Sequence, residues 1–136
     1  MERTLEDLVW RRAGGRCEYC QISSDNLDLP FEVDHVIAEH HLGLTQSGNL
    51  CLACFPCNRH KGPNVAGVDP KTKKIVPLFH PRRHKWSWHF RWDGPILVGR
   101  TPTGRATVVA LKINLNHRID LRKGLIDEGV FPPGKS

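Results

Sequence analysis

The stretch Phe31–Lys61, FEVDHVIAEHHLGLTQSGNLCLACFPCNRHK, decides how the rest of the chain is read. Phe31 to Ile37 is short, rich in β-branched and aromatic residues and preceded by Pro30, which predicts a strand. That strand carries Asp34 and His35 side by side. Successive strand side chains face opposite ways, so the two do not share one task unless the strand ends or bends there. A polar, glycine-containing loop runs from His40 to Gly48 and leads to Asn49, either a turn residue or an amide that pins the loop bearing His35. The stretch closes with Cys54-Phe55-Pro56-Cys57 and Asn58-Arg59-His60-Lys61, a short helix that Gly62-Pro63 stops. An Asp-His pair, a central Asn and a second Asn directly after a C-x-x-C suit a metal-dependent phosphodiesterase site.

The matching half of the metal chemistry lies outside the stretch, in Cys17-Glu18-Tyr19-Cys20. Two C-x-x-C turns separated by a few dozen residues predict a four-thiolate structural zinc site formed by Cys17, Cys20, Cys54 and Cys57. A redox C-x-x-C would open a helix beside a βαβ pattern, and no such pattern is visible. Cys51 repeats the three-residue spacing, but it sits in Leu50-Cys51-Leu52-Ala53 and is read as a small buried hydrophobe. With four thiolates closing the zinc site, His40 and His41 are read as solvated or loop-packing side chains. Asn58 offers a neutral carbonyl oxygen for a hard cation, and Lys61 a point charge suited to phosphate.

Taken together, Arg16 to Gly62 resembles the HNH endonucleases, a branch of the His-metal finger nucleases built on a ββα-metal motif. The resemblance rests on Cys17/Cys20, Asp34-His35, Asn49, Cys54/Cys57, Asn58 and Lys61, and Asn58 as the third motif letter makes this an H-N-N variant. It implies His35 as general base, Asp34 and Asn58 as ligands of a catalytic Mg²⁺ or Mn²⁺, and Asn49 as the residue that fixes the loop. It also implies cleavage of DNA that leaves 3′-hydroxyl and 5′-phosphate ends. Leu78 to Pro133 is similar to the tail of some small stand-alone bacterial HNH proteins.

The chemistry asks for such groups. Phosphodiester hydrolysis needs a nucleophilic water, relief of charge on the phosphorane and stabilisation of the leaving oxygen. A neutral imidazole that takes the water's proton contributes on the order of a hundred- to ten-thousand-fold. The closed zinc site has no open position, so its expected task is folding.

Composition agrees. At 136 residues the chain has room for one core, and its 39% apolar content predicts irregular connections helped by a metal. Lys and Arg exceed Asp and Glu by 20 to 14, a formal charge of +6 that suits a polyanionic partner, which the resemblance implies is DNA, expected as a duplex. Glu2, Arg3, Glu6 and Asp7 break any secretion-signal pattern, and no run reaches membrane-spanning length. Five cysteines read as reduced, four of them as ligands, then point to a cytoplasmic protein without membrane contact.

Around the core, Thr4-Leu5-Glu6-Asp7 reads as a capping box for a helix that Gly14-Gly15 ends. Asp69-Pro70-Lys71-Thr72 reads as a turn between short extended pieces. Trp86 to Trp92 alternates aromatic and polar residues, which predicts a strand, and Asp93-Gly94-Pro95 turns it into a hairpin with Ile96-Leu97-Val98. Thr103 and Asn116 are expected to cap two covering helices. The expected fold class is thus α+β: a single domain over residues 1–136, with a ββα-metal HNH core with zinc knuckles over about 16–62. A β-hairpin and helices fill 63–136. Arg59, Lys61, Arg82, Arg83, Lys85 and Arg91 are the candidate nucleic-acid contacts. The leading reading is an endonuclease with a His base and one divalent metal, and the alternative is a non-catalytic zinc-containing module that binds nucleic acid. Oligomeric state and cleavage specificity have no signature in the sequence.

Overall fold

A computed structural model describes residues 1–134; residues 135 and 136, which the sequence reading includes in the C-terminal extension, lie outside the described residues. Helix α1 (Arg3–Ala13) lays Val9 and Leu5 on two short strands, β1 (Glu32–His35) and β2 (Leu50–Ala53), where Val9, Leu50 and Leu52 are buried together. Gly14, at φ 63°, ends the helix, and the N–H groups of Gly14 and Gly15 return to the carbonyls of Arg11 and Trp10. The expected capping box does not form. The helix begins one residue before Thr4, behind an extended Glu2 that makes no side-chain cap, so the Thr4 hydroxyl already lies within the first turn.

Strands β1 and β2 pair antiparallel, with Asp34 opposite Cys51 and His35 opposite Leu50. The predicted strand Phe31–Ile37 is therefore shorter, Glu32–His35. Helix α2 (Phe55–Lys61) follows directly, with a proline in its first turn and Gly62 after its end.

The second half of the chain wraps the first. Strands β3 (Ala66–Val68) and β4 (Ile75–Pro77) pair around the Asp69 turn. The Asp69 carboxylate accepts from the Lys71 N–H at 3.1 Å and from the Thr72 hydroxyl at 2.8 Å. Arg105 then grips it with two hydrogen bonds of 2.9 Å.

The alternating stretch is corrected. Trp86–His89 is a helical turn, α3, and only Phe90–Asp93 is a strand, β5. Residues 86 and 90 are spaced for a strand face and equally for i, i+4 on a helix, so the pattern alone does not separate the two. Packing does: the Trp86 and Phe90 rings lie 5.2 Å apart, and the Trp86 indole N–H donates to the Tyr19 carbonyl at 2.9 Å. The hairpin itself forms, β5 pairing with β6 (Ile96–Gly99) across Gly94-Pro95.

Helix α4 (Pro102–Ala110) is capped by Thr101, whose hydroxyl accepts from the Gly104 N–H at 3.0 Å. The expected cap, Thr103, sits two residues too late because Pro102 already occupies the first helical position. Asn116 is likewise the first residue of α5 (Asn116–Asp127), whose cap position is Leu115 with no side-chain bond. Close approach of α4 to the hairpin needs Gly104: a Cβ there would stand 2.1 Å from the His89 carbonyl oxygen. The principal buried cluster joins the cysteine knuckles to Phe79, Phe90, Leu111, Leu125 and Phe131. No helix among the described residues is long and apolar enough to cross a membrane.

Candidate functional site

The first knuckle is a tight turn after α1 in which the Cys17 N–H bonds the Ile22 carbonyl and the Gln21 N–H bonds the Cys17 carbonyl, both at 2.9 Å. The second opens α2. They meet so that the sulfurs of Cys17, Cys20, Cys54 and Cys57 all lie within 4.8 Å of one another, fully buried. Four sulfurs each about 2.3 Å from a central zinc stand about 3.8 Å apart. Cys20 Sγ and Cys54 Sγ are 3.7 Å apart, so the cluster has the dimensions and donor chemistry of a tetrahedral thiolate site. Burial pushes the thiols of Cys17 and Cys57 well above the ordinary value, while a hydrogen bond with Cys17 draws Cys20 down. Such a cluster holds four thiolates only around a cation. Cys51 stays outside it, buried against Tyr19, and burial pushes its thiol up to about 12.

One residue of this centre has no counterpart in the sequence reading. Arg118, on α5, is 6% exposed and donates to Cys57 Sγ at 3.0 Å. Its other terminal nitrogen bonds the carbonyls of Leu111 at 3.0 Å and Lys112 at 3.2 Å. A guanidinium buried among thiolates offsets the net negative charge that four thiolates leave around a dication. An arginine 61 positions from the cysteine it touches has no local signal in the sequence.

A second site lies where β1 ends. The strand stops at His35, so Asp34 and His35 line one cleft of about 370 Å³ together with Glu39, Asn58 and Arg59. Asn49 is 6% exposed, and its amide closes the loop above that strand end. Its Oδ1 accepts from the Ile37 N–H at 2.9 Å, and its Nδ2 donates to the carbonyls of Ile37 and Leu44, each at 2.9 Å. The loop packs so tightly that a Cβ on Gly43 would stand 1.7 Å from the Ile37 carbonyl oxygen. His35 Nε2 lies 2.9 Å from the Thr45 hydroxyl, which the same loop delivers. Asn58 Nδ2 donates to Glu32 at 3.1 Å, which leaves the amide oxygen unengaged. Burial raises the Asp34 carboxyl above its ordinary value, and the Lys61 ammonium works in the opposite direction. Thr45, Glu32 and Glu39 were not distinguishable in the sequence, where each reads as an ordinary loop or strand-edge residue.

The basic candidates divide. Arg59, Arg83, Lys85 and Arg91 are exposed. Lys61 is corrected: it is 1% exposed, and its Nζ donates to the Val36 carbonyl at 2.9 Å, so it is no surface charge for a phosphate. Arg82 is corrected as well, because its guanidinium pairs with Glu18, whose other oxygen accepts from the Leu52 N–H at 2.8 Å. It fastens the second half of the chain to the first knuckle.

Comparison with known proteins locates a family in the same segment. Over 91% of its length the chain is 25% identical to the Septu protein PtuA of Bacillus mycoides (strain KBAB4), of which it spans about a fifth, 21%. No solved structure matches the chain. Residues 17–64 match the HNH endonuclease family. Both cysteine knuckles, the β1–β2 pair and α2 fall inside that match.

Proposed function

We propose that this protein hydrolyses phosphodiester bonds of DNA in the cleft at the end of β1. The observation that carries the reading is the convergence there of Asp34, His35 and Asn58, with Asn49 locking the loop. Thr45 can accept from the Nε2–H of His35, which leaves Nδ1 as the unprotonated ring nitrogen that takes a proton from the attacking water. Asp34 supplies an anionic oxygen and Asn58 a neutral one, a donor pair that fits Mg²⁺ or Mn²⁺ with several positions left for water and phosphate. Such an ion, when bound, withdraws charge from the phosphoryl oxygens. Glu32 holds the Asn58 amide so that its oxygen is the free atom. Arg59 at the rim, with Arg83, Lys85 and Arg91, attracts the DNA backbone. The four cysteines hold a structural zinc that sets α2, and hence Asn58, against β1. Residues 17–64 and the extension to residue 134 act as one folding unit around that centre.

Plasmid nicking with Mg²⁺ or Mn²⁺ tests this. His35→Ala should lose activity by at least a hundredfold while keeping its zinc. Equal cleavage by wild type and His35→Ala would remove the enzymatic reading.

A further inference from the structure

Beyond the end of β1 the chain continues as Val36 and Ile37, and beyond α2 as Gly62 to Val65. Val36 and Ile37, directly after the Asp34-His35 end of β1, and Lys61 and Val65, on either side of the Gly62-Pro63 rim of the cleft, border a second cavity of about 270 Å³. Its remaining wall comes from the C-terminal half, through Phe79, His80, Arg83 and His84. Among the described residues no carboxylate lines it, and its polar side chains, Lys61, His80, Arg83 and His84, are hydrogen-bond donors or cations. The function proposed above draws on Arg83 of this lining and on neither of its histidines.

The histidine tautomers follow from their partners. His80 Nδ1 accepts from the Arg82 N–H at 3.1 Å, and His84 Nδ1 accepts from the His80 N–H at 2.9 Å. In each neutral ring the proton is thereby placed on Nε2. His80 is 7% exposed, yet its Nε2 has no hydrogen-bond partner among the described residues. A buried donor left unpaired costs free energy, and a bound ion or ligand is one partner that removes that cost. Burial holds His80 well below the ordinary histidine value, at about 4, so at neutral pH it is a neutral donor. The Arg83 side chain makes no hydrogen bond or ion pair among the described residues, and it brings a full charge to the mouth.

We propose that this cavity is a second oxyanion site, which takes a phosphate group on the donors of His80, His84 and Arg83. The N–H donor of His80 at depth and one guanidinium at the rim suit an acceptor-only anion, and a phosphodiester oxygen carries no proton that would need an acceptor side chain in return. Phosphate binding stands on the cavity's own chemistry. Its assignment to a strand phosphate flanking the one in the cleft rests on the nuclease reading, since segments 34–37 and 58–65 line both hollows. The other source of the same chemistry is free inorganic phosphate.

The test uses the full chain carrying His35→Ala, without divalent metal beyond its zinc, and reads the imidazole nitrogens by ¹H–¹⁵N NMR. Inorganic phosphate and, separately, a short DNA duplex are titrated in. Both should shift the His80 and His84 signals. Arg83→Gln, a change at an exposed position that leaves the core intact, should weaken duplex binding about tenfold and lower its salt slope by about one. Should inorganic phosphate shift both histidines while Arg83→Gln leaves duplex affinity and salt slope unchanged, the site is one for free phosphate. If neither probe moves either histidine, the proposal is wrong. No readout depends on cleavage. A protein that binds phosphate here but never cuts DNA retires the nuclease reading alone, and one that cuts without these shifts retires the second site alone.

Discussion

Replacing Arg118 by methionine keeps most of the side chain's volume and removes its charge and all its donors. Four partners lose a bond: the Cys57 sulfur at 3.0 Å, the Cys54 sulfur at 4.0 Å and the carbonyls of Leu111 at 3.0 Å and Lys112 at 3.2 Å. Removing one partner of a buried charged pair costs about 3–5 kcal/mol, since the remaining charge is left uncompensated in a medium that solvates it poorly. Groups that orient metal ligands from behind are worth roughly ten- to a hundredfold in metal affinity. Arg118→Met should therefore release zinc to a competing chelator at ten- to a hundredfold lower chelator concentration than wild type. Its melting temperature should fall by roughly 10 to 20 °C. Arg118→Lys should recover part of the loss, because one ammonium restores the charge but cannot span both a sulfur and two carbonyls. A methionine variant that melts with wild type and holds zinc equally would show that the arginine is a bystander and that α5 is not part of the metal centre.

Gly43→Ala should cost more than about 2 kcal/mol and abolish cleavage, because the new Cβ would stand 1.7 Å from a backbone oxygen and force Asn49 off Ile37; chemical denaturation and nicking read the two effects. Cys54→Ser should lose zinc by metal analysis, whereas Cys51→Ser should keep it, and the Cys51 thiol, pushed up to about 12 by burial, should resist alkylation in the folded protein. The hydrogen bonds from Arg105 hold the Asp69 carboxyl below its ordinary value of 3.8, so its contribution is complete above that value and shrinks as pH falls below it. Melting curves of wild type and Asp69→Asn should accordingly lie furthest apart near neutral pH and converge in acid, and a gap that widens toward acid would contradict the pairing.

What could be read from the chain was local. The C-x-x-C turns, the strand that carries Asp34 and His35, the short helix that Gly62 stops and the Gly94-Pro95 hairpin each depend on residues a few positions apart. Backbone chemistry of that range is written in spacing. Asn49 also showed its two options, and the tertiary contacts with Ile37 and Leu44 selected the loop-pinning one.

The helical turn at Trp86–His89 was hidden because alternate spacing and i, i+4 spacing coincide at residues 86 and 90, and the choice came from rings and carbonyls of other segments. Lys61, Arg82 and Arg118 were invisible for a stronger reason. A charged side chain reads as surface until something buried can receive its hydrogen bonds, and those receivers are a carbonyl 25 residues away, a carboxylate 64 away and a thiolate 61 away. The sequence by itself thus determined the four-cysteine cluster and the short elements that carry it. Only the tertiary structure decided which cations serve the surface and which are spent inside, because burying a charge is favourable only where the folded chain has already assembled its partners.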